Sequence, residues 1–428
     1  MKNKFLLGLY FLVLFIYSAA PVNFVMISEN SPIISSLFPV ILGLIVSVQC
    51  NISLFKRSML LLMGGLTVWN IVIYATLHRM PSPYPYISLF VAYIAFHAFR
   101  HDFAKRYVDT AVALTMVSLV VWFLCLIAPS VMKSLAVNFG LYSNDVSYSF
   151  IFFNISKRVG EVFPPRSAGF CWEPGRYACM LVIALFFYFL EYGLNFRNKK
   201  FWILTFGIVS TFSTTGYAMY FVLLVASVVR VRRLNPLYLI PVVLLVIVVW
   251  NLPFMGEKVS GLVADEDKAM SAIDMMVYQA QHGSDTYYTP QRFEGMILQW
   301  INLRNMPLLT GEGRNLTLHF INRTYGVTFS LSEGVLGVLV RYGLVLGFFI
   351  YFSLFKSSVM FSKMGKQSFG IMFMVIYMMA NISYYFWESP LFVVMWCWYL
   401  FSKDIKQPQA VRRNGTKTTY INNNSVLQ

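Results

Sequence analysis

Seven side chains carry most of the chemistry this sequence offers: Arg166, Glu173, Arg176, Arg292, Arg314, His319 and Arg341. Three of them share one stretch, PPRSAGFCWEPGR at 164–176, directly ahead of a long apolar run. Glu173 and Pro174 read as the cap and first turn of a helix, which puts Arg176 in that turn and Arg166 just upstream. A helix N-terminus presents free N–H groups and the positive end of the helix dipole, so it favours anions. A guanidinium placed beside it can grip phosphate through two parallel hydrogen bonds. Arg292 repeats the arrangement in TPQRFEGMILQWINLRNMP at 289–307. There Thr289 can cap a helix, Pro290 suits its first turn and Pro307 lies beyond its end. Arg314 follows in GEGRN, where two glycines let backbone approach a ligand closely.

Each of these residues also has a plainer role open to it. Arg166 reads as a loop charge, Arg292 as a solvated helix charge, and Arg176 as a side chain snorkelling from a helix end. Glu173 reads as an N-cap as well as a base, and His319 is the other candidate base. Arg341 lies about 15 Å along an apolar helix, where a charge costs about 2.5–3.5 kcal/mol. It therefore calls for a cavity or a carboxylate partner, and Glu173, Glu333 and Glu388 are the acids near the outer half. Trp172 and Trp300 read as interface anchors rather than sugar platforms. No Cys/His set has metal-ligand spacing, and the acidic DED at 265–267 sits in solvated sequence. No metal and no cofactor is expected.

Those side chains must be positioned by membrane helices. The chain has 428 residues, is 58% hydrophobic and only 12% charged, with mean hydropathy +0.62. That composition is expected of an all-α polytopic membrane protein. The net charge of +16 is distributed in short clusters between apolar runs, which is how orientation signals look, so nucleic acid is not an expected partner. The five cysteines fall mostly inside apolar runs and read as small core residues. The first apolar stretch is expected to remain as an uncleaved helix.

Expected spans are Phe5–Ala20, Ile33–Gln49, Ser58–Leu77, Tyr86–Phe99, Asp109–Ala128, Pro174–Tyr192, Pro236–Trp250, Ser332–Phe355, Ser368–Tyr385 and Trp387–Phe401. The segment 201–229 is long for one span and short for two, and its middle reads STFSTTG. Basic clusters flank it on both sides, RNKK at 197–200 and RVRR at 230–233. If both face the cytoplasm, the segment enters and returns as two short helices, and every other basic cluster falls inside as well. This reading predicts about 12 spans with both termini cytoplasmic. Broken backbone at membrane depth must be covered by protein or line a cavity, so the STFSTTG break predicts an internal cavity. The organisation expected is one integral membrane domain over 1–428, with outer loops at 129–173 and 251–331 and a cytoplasmic tail at 403–428. ADEDKAMSAID in the second loop reads as a solvated helix, and the sequence carries no internal repeat of the transporter kind.

RSAGFCWEPGRYACML resembles the Arg-x-x-Gly-x-x-x-Glu-Pro pattern that opens a central span in bacterial O-antigen polymerases and related polymerase/ligase membrane proteins. RFEGMILQWINLRNMPLLTGEG is similar to that family's arginine, Trp-bearing helix and Pro-Leu-x-x-Gly-x-Gly. STFSTTGYAMYFVLL resembles its short broken helix pair, and the similarity covers roughly residues 30 to 400. The resemblance implies a GT-C-like, metal-independent glycosyltransferase of the bacterial inner membrane, working at the periplasmic face. Its donor and acceptor would be oligosaccharides on undecaprenyl diphosphate, with membrane lipid around them and a polysaccharide chain-length regulator as a candidate partner. Arg166 and Arg292 match the two family arginines proposed to hold the diphosphate, with Arg176, Arg314 and Arg341 as further candidates. The family's ligases carry a His-Asn pair in the second loop, whereas His319 here is followed by Phe320, with Asn322 three residues on. Two other readings remain open: a ligase passing the same donor glycan to lipid A–core, and a flippase or transporter of lipid-linked oligosaccharide.

Overall fold

A computed structural model describes residues 4–20, 32–54, 56–78, 82–138, 145–150, 153–158, 164–230, 270–271, 273–278, 292–313, 320–326, 334–365 and 369–405. It is mostly helical. The first half contains α1 (Lys4–Ala19), α2 (Pro32–Gln49), α3 (Arg57–Leu77), α4 (Tyr84–Phe99), α5 (Phe103–Ile127) and the short α6 (Pro129–Leu135). Strands β1 (Val137–Asn138), β2 (Asp145–Phe150), β3 (Phe153–Arg158) and β4 (Arg166–Gly169) follow. Then come α7 (Pro174–Tyr192), α8 (Lys199–Ser210), α9 (Thr214–Arg230), α10 (Arg292–Arg304), α11 (Phe320–Tyr325), α12 (Val335–Met364), α13 (Met372–Ser383) and α14 (Pro390–Ser402).

Among the described residues four helices, α3, α5, α7 and α12, are long and apolar enough to cross a membrane, and six shorter apolar helices accompany them. The expected span Pro236–Trp250 lies outside the described residues, as do residues 406–428 of the tail. Several expected boundaries shift, the largest at α12, which runs to Met364 where Phe355 was expected. Helix α5 begins before Asp109, because an Asp102–Arg106 ion pair one turn apart (2.6 Å) supports its polar first turn. Helix α14 begins only at Pro390, because Trp387 and Glu388 turn inward and are buried.

Helix α7 forms the centre. It is apolar on every face, and every side chain from Tyr177 to Leu190 is buried, which is how a helix surrounded by other helices must read. Phe186 and Phe187 on α7 stack with Phe361 of α12 and Phe373 of α13. Helix α1 is built into the same body through Phe11–Phe103 and Phe15–Tyr107 edge contacts.

Among its described residues, the expected first outer loop is not irregular. Its strands form an antiparallel meander in the order β1-β2-β3-β4, with a register shift at Asn154/Ile155. The indole of Trp122 on α5 donates to the Pro165 carbonyl at 2.7 Å and anchors the approach to β4. Gly169 then turns the chain at φ +54, where a Cβ would sit inside the Tyr177 ring. The glycine of the Arg-x-x-Gly pattern is thus required by the turn from strand into α7.

The 201–229 segment is a hairpin. The Thr205 and Tyr220 hydroxyls lie 3.1 Å apart, and the Tyr217 hydroxyl donates to the Val209 carbonyl at 2.7 Å. In one straight helix, residues 15 apart would be separated by about 22 Å. The chain therefore reverses at 211–213, with Phe212 in the left-handed region at φ 46.

Candidate functional site

Three turns converge at one end of the helical body: 166–176, the hairpin tip at 211–215, and 383–389. The Arg166 Nε donates to the Thr211 carbonyl at 3.1 Å, which seats this half-buried arginine on the hairpin tip. The Thr215 and Ser383 hydroxyls meet at 3.0 Å and tie the tip to the end of α13. Arg176 is buried and faces the other way. Its guanidinium donates to the Ala19 and Ser18 carbonyls at 3.1 and 2.8 Å and lies 4.5 Å over the Phe386 ring. It satisfies carbonyls at the C-terminus of α1 that no intrahelical N–H can reach. Glu173 occupies the N-cap position of α7 in extended conformation, without a side-chain cap hydrogen bond.

Arg341 pairs with Glu388, one of the three acids expected, at 3.3 Å. The guanidinium lies 3.8 Å from the Tyr385 ring centroid. The hydroxyls of Tyr342 and Tyr385 donate to the same Glu388 oxygen at 2.9 and 3.1 Å. The charge at depth is thereby neutralised by one carboxylate, two phenols and an aromatic face.

Directly after this cluster α12 breaks. Gly343 adopts φ 72 and ψ 179, about 12 Å along the helix from Val335. The backbone groups freed by the break are taken up by the segment 307–313. Glu312 N–H donates to the Val340 carbonyl at 2.9 Å, Gly313 N–H to Arg341 at 3.0 Å, and Leu344 N–H to Leu308 at 2.8 Å. A Cβ on Gly343 would overlap the Leu309 carbonyl, and one on Gly311 (φ +74) would lie 2.5 Å from the Gly343 nitrogen. This part of the expected outer loop is therefore a strap inserted into a broken helix, which meets the requirement that irregular backbone at membrane depth be covered.

The strap brings Glu312 into the interior with no exposed surface, where Arg323 of α11 pairs with it at 2.8 Å. Its second oxygen has no hydrogen-bond partner among the described residues. Burial pushes this carboxyl above its usual range while Arg323 pulls it back down. Helix α10 packs on α11 and on the helical residues 273–278 through Ile273, Met276, Leu298 and Ile321. Ile273, near the end of the stretch 264–274 expected to be solvated, is thus buried, and residues 264–269 lie outside the described residues.

Below the Arg341–Glu388 cluster opens a cavity of about 680 Å³ between α3, α4, α12 and α14. Helix α3 forms its outer wall and is packed loosely: 17% of its apolar window is buried, against 89% for α7. It is pinned at two places. Past its middle, Trp69 Nε1 donates to the Thr310 carbonyl of the strap and Asn70 to the Tyr86 hydroxyl, both at 2.8 Å. At the other, the Ser58 N–H donates to Asp404 at 3.1 Å and the Ser58 hydroxyl bonds the same carboxylate. Between the pins, Leu61, Leu62, Gly65 and Leu66 face Leu346, Phe349 and Ile350 across the cavity. A Cβ on Gly64 or Gly65 would meet nothing within 4 Å. Along α14 the cavity extends about 20 Å, two thirds of a hydrocarbon core of about 30 Å.

Of the seven residues singled out in the sequence, Arg166, Glu173 and Arg176 lie at the turn from β4 into α7, and Arg341 pairs with Glu388, which lines the cavity head. Arg292 is the first residue of α10, and its side chain lies outside the described residues, as do Arg314 and His319. Sequence reasoning missed the Glu312–Arg323 pair and the strap. The signal for the strap was present as RYG at 341–343, an arginine and a glycine adjacent at membrane depth. No group of three or more His, Cys, Asp or Glu among the described residues has the geometry to hold a metal. Compared with family models, with curated proteins and with solved structures, the chain matches none.

Proposed function

We propose that this chain is an O-antigen polymerase. It joins oligosaccharide repeats carried on undecaprenyl diphosphate, at the periplasmic face of the bacterial inner membrane, by glycosyl transfer without a metal. The proposal includes about 12 spans, a GT-C-like arrangement and both termini in the cytoplasm. The observation that carries it is the cavity under α3, an apolar groove running about two thirds of a hydrocarbon core from a polar head at Tyr342 and Glu388, the latter bonded by Arg341 and Tyr385. A polyprenyl donor needs that pairing of an apolar channel for the tail with polar, cationic chain turns at one end for the diphosphate.

On this reading the donor tail lies in the groove and the diphosphate rests among the outer turns, where Arg166 sits on the hairpin tip and α10 opens with Arg292. The acceptor sugar hydroxyl attacks the anomeric carbon of the donor glycan. The bond from that carbon to the diphosphate oxygen breaks, and the leaving oxygen takes the electron pair. Preorganised guanidinium groups stabilise that charge. The hydroxyl proton passes to a base, for which Glu173 and His319 are the candidates. The growing chain is thereby moved onto the non-reducing end of a new lipid-linked repeat. Arg176 and Arg341 contribute by holding the outer turns in place, since both guanidinium groups are occupied within the protein.

Purified protein supplied with an undecaprenyl-diphosphate-linked repeat tests this in the presence of EDTA. Wild type is expected to yield lipid-linked products of two or more repeats. Gly65→Trp, which fills the groove where a side chain has open space, is expected to lower the yield at least tenfold. Absence of any multi-repeat product from folded wild type would refute the reading.

A further inference from the structure

The groove has a second mouth, and the proposed donor does not account for it. At the end remote from Glu388 the lining residues are Arg57, Ser58, Lys403 and Asp404. The floor of an otherwise apolar channel thus carries two cations and one acid. The acid is already engaged, because Asp404 takes the Ser58 backbone N–H and the Ser58 hydroxyl in the first turn of α3. Neither cation has a carboxylate partner among the described residues: Arg57 takes part in no ion pair, and the Lys403 amine rests 4.5 Å over the Tyr399 ring. Both residues are exposed, and Lys56 stands next in the chain.

A prenyl tail entering from the Glu388 end brings only hydrocarbon to this mouth and leaves its two cations facing the single carboxylate of Asp404. An amphiphile of opposite orientation satisfies both features, with an anionic head at Arg57 and Lys403 and its chain beside Leu61, Leu62, Phe349 and Leu400. We propose that this mouth is a binding site for an anionic glycerophospholipid of the adjacent leaflet, held by its phosphate at Arg57 and Lys403. Paired basic residues bordering an apolar cleft recognise that chemistry, and each adds attraction to an anionic head group. The loosely packed α3, with 17% of its apolar window buried, provides the lateral opening through which such a lipid enters. The inference rests on the groove and its charges and does not depend on the polymerase reading.

Native mass spectrometry of the full chain in neutral detergent, with phosphatidylglycerol or phosphatidylcholine added, tests the site. The expected result is preferential retention of phosphatidylglycerol. Arg57→Ala with Lys403→Ala is expected to lower its apparent affinity about twentyfold, near fivefold for each cation removed. The paired control Lys356→Ala with Lys363→Ala, outside the groove, is expected to leave it unchanged. Gly65→Phe should displace the lipid with both cations intact, which separates a groove site from a surface charge effect. Equal retention of the two lipids overturns the proposal, as does undiminished binding in the Arg57/Lys403 variant. An equal loss in the Lys356/Lys363 control also overturns it.

Discussion

Two arginines ten residues apart divide the labour at the turn into α7. Arg166 lies on the hairpin tip and keeps part of its surface exposed, whereas Arg176 is buried against the end of α1. Arg176→Ala leaves buried carbonyls without donors, and a charge-assisted hydrogen bond of this kind is worth about 1.5–3 kcal/mol. A loss of folding stability of that size is expected in thermal unfolding, while Arg166→Ala is expected to unfold near wild type and lose polymer yield. Sequence placed both residues at a helix mouth but did not separate them, because the partner of Arg176 is more than 150 positions away in the chain. Glu312 offers a pH test. Its carboxyl is raised by burial, so folding favours the protonated form. Its contribution is full at low pH and is lost as pH rises through the folded pKa. Arg323→Ala removes the counter-charge and raises that carboxyl further. The expected cost is about 1–3 kcal/mol at neutral pH, moderated because the Arg323 side chain is 42% exposed. Denaturant unfolding should show that cost shrinking as pH falls toward about 4, near the ordinary Glu value. A cost independent of pH would contradict the assignment.

At the scale of elements, apolar length and basic clusters made the helices legible, and the hydroxyl-rich STFSTTG marked the hairpin because a break at depth needs polar, turn-capable residues. What stayed hidden depends on pairing between distant segments. The strands of the first loop are short and paired only within a meander, and the strap 307–313 is defined by backbone bonds to α12 rather than by its own pattern. Two glycines separate strap geometry from helix propensity. Gly343→Ala forces a Cβ into the strap backbone at positive φ and is expected to cost at least about 2 kcal/mol. Gly64→Ala, in open space within α3, is expected to raise stability by up to about 1 kcal/mol. Thermal unfolding of the two variants in the same detergent reads both signs. A neutral Gly343→Ala would mean that the strap does not hold the break.

For the whole molecule, a densely packed centre at α7 and a loosely held wall at α3 produce one continuous groove with a polar head. Composition foretold a helical membrane body, and the family resemblance directed attention to its arginine-bearing turns. The groove beneath α3 is distinct from the cavity expected near the STFSTTG break and was not foreseen, because hydrogen bonds between distant segments hold the helix that walls it. The account's central claim is that this body polymerises lipid-linked repeats. A lipopolysaccharide gel tests it most directly, using a strain that lacks the gene and carries either wild type or Arg292→Ala at matched expression. The account predicts core plus a single repeat in the null, a full ladder with wild type and no ladder with Arg292→Ala. Bare core in the null, with lipid-linked polymer accumulating, would identify a ligase and contradict the claim. A normal ladder from Arg292→Ala would contradict the diphosphate role given to that arginine.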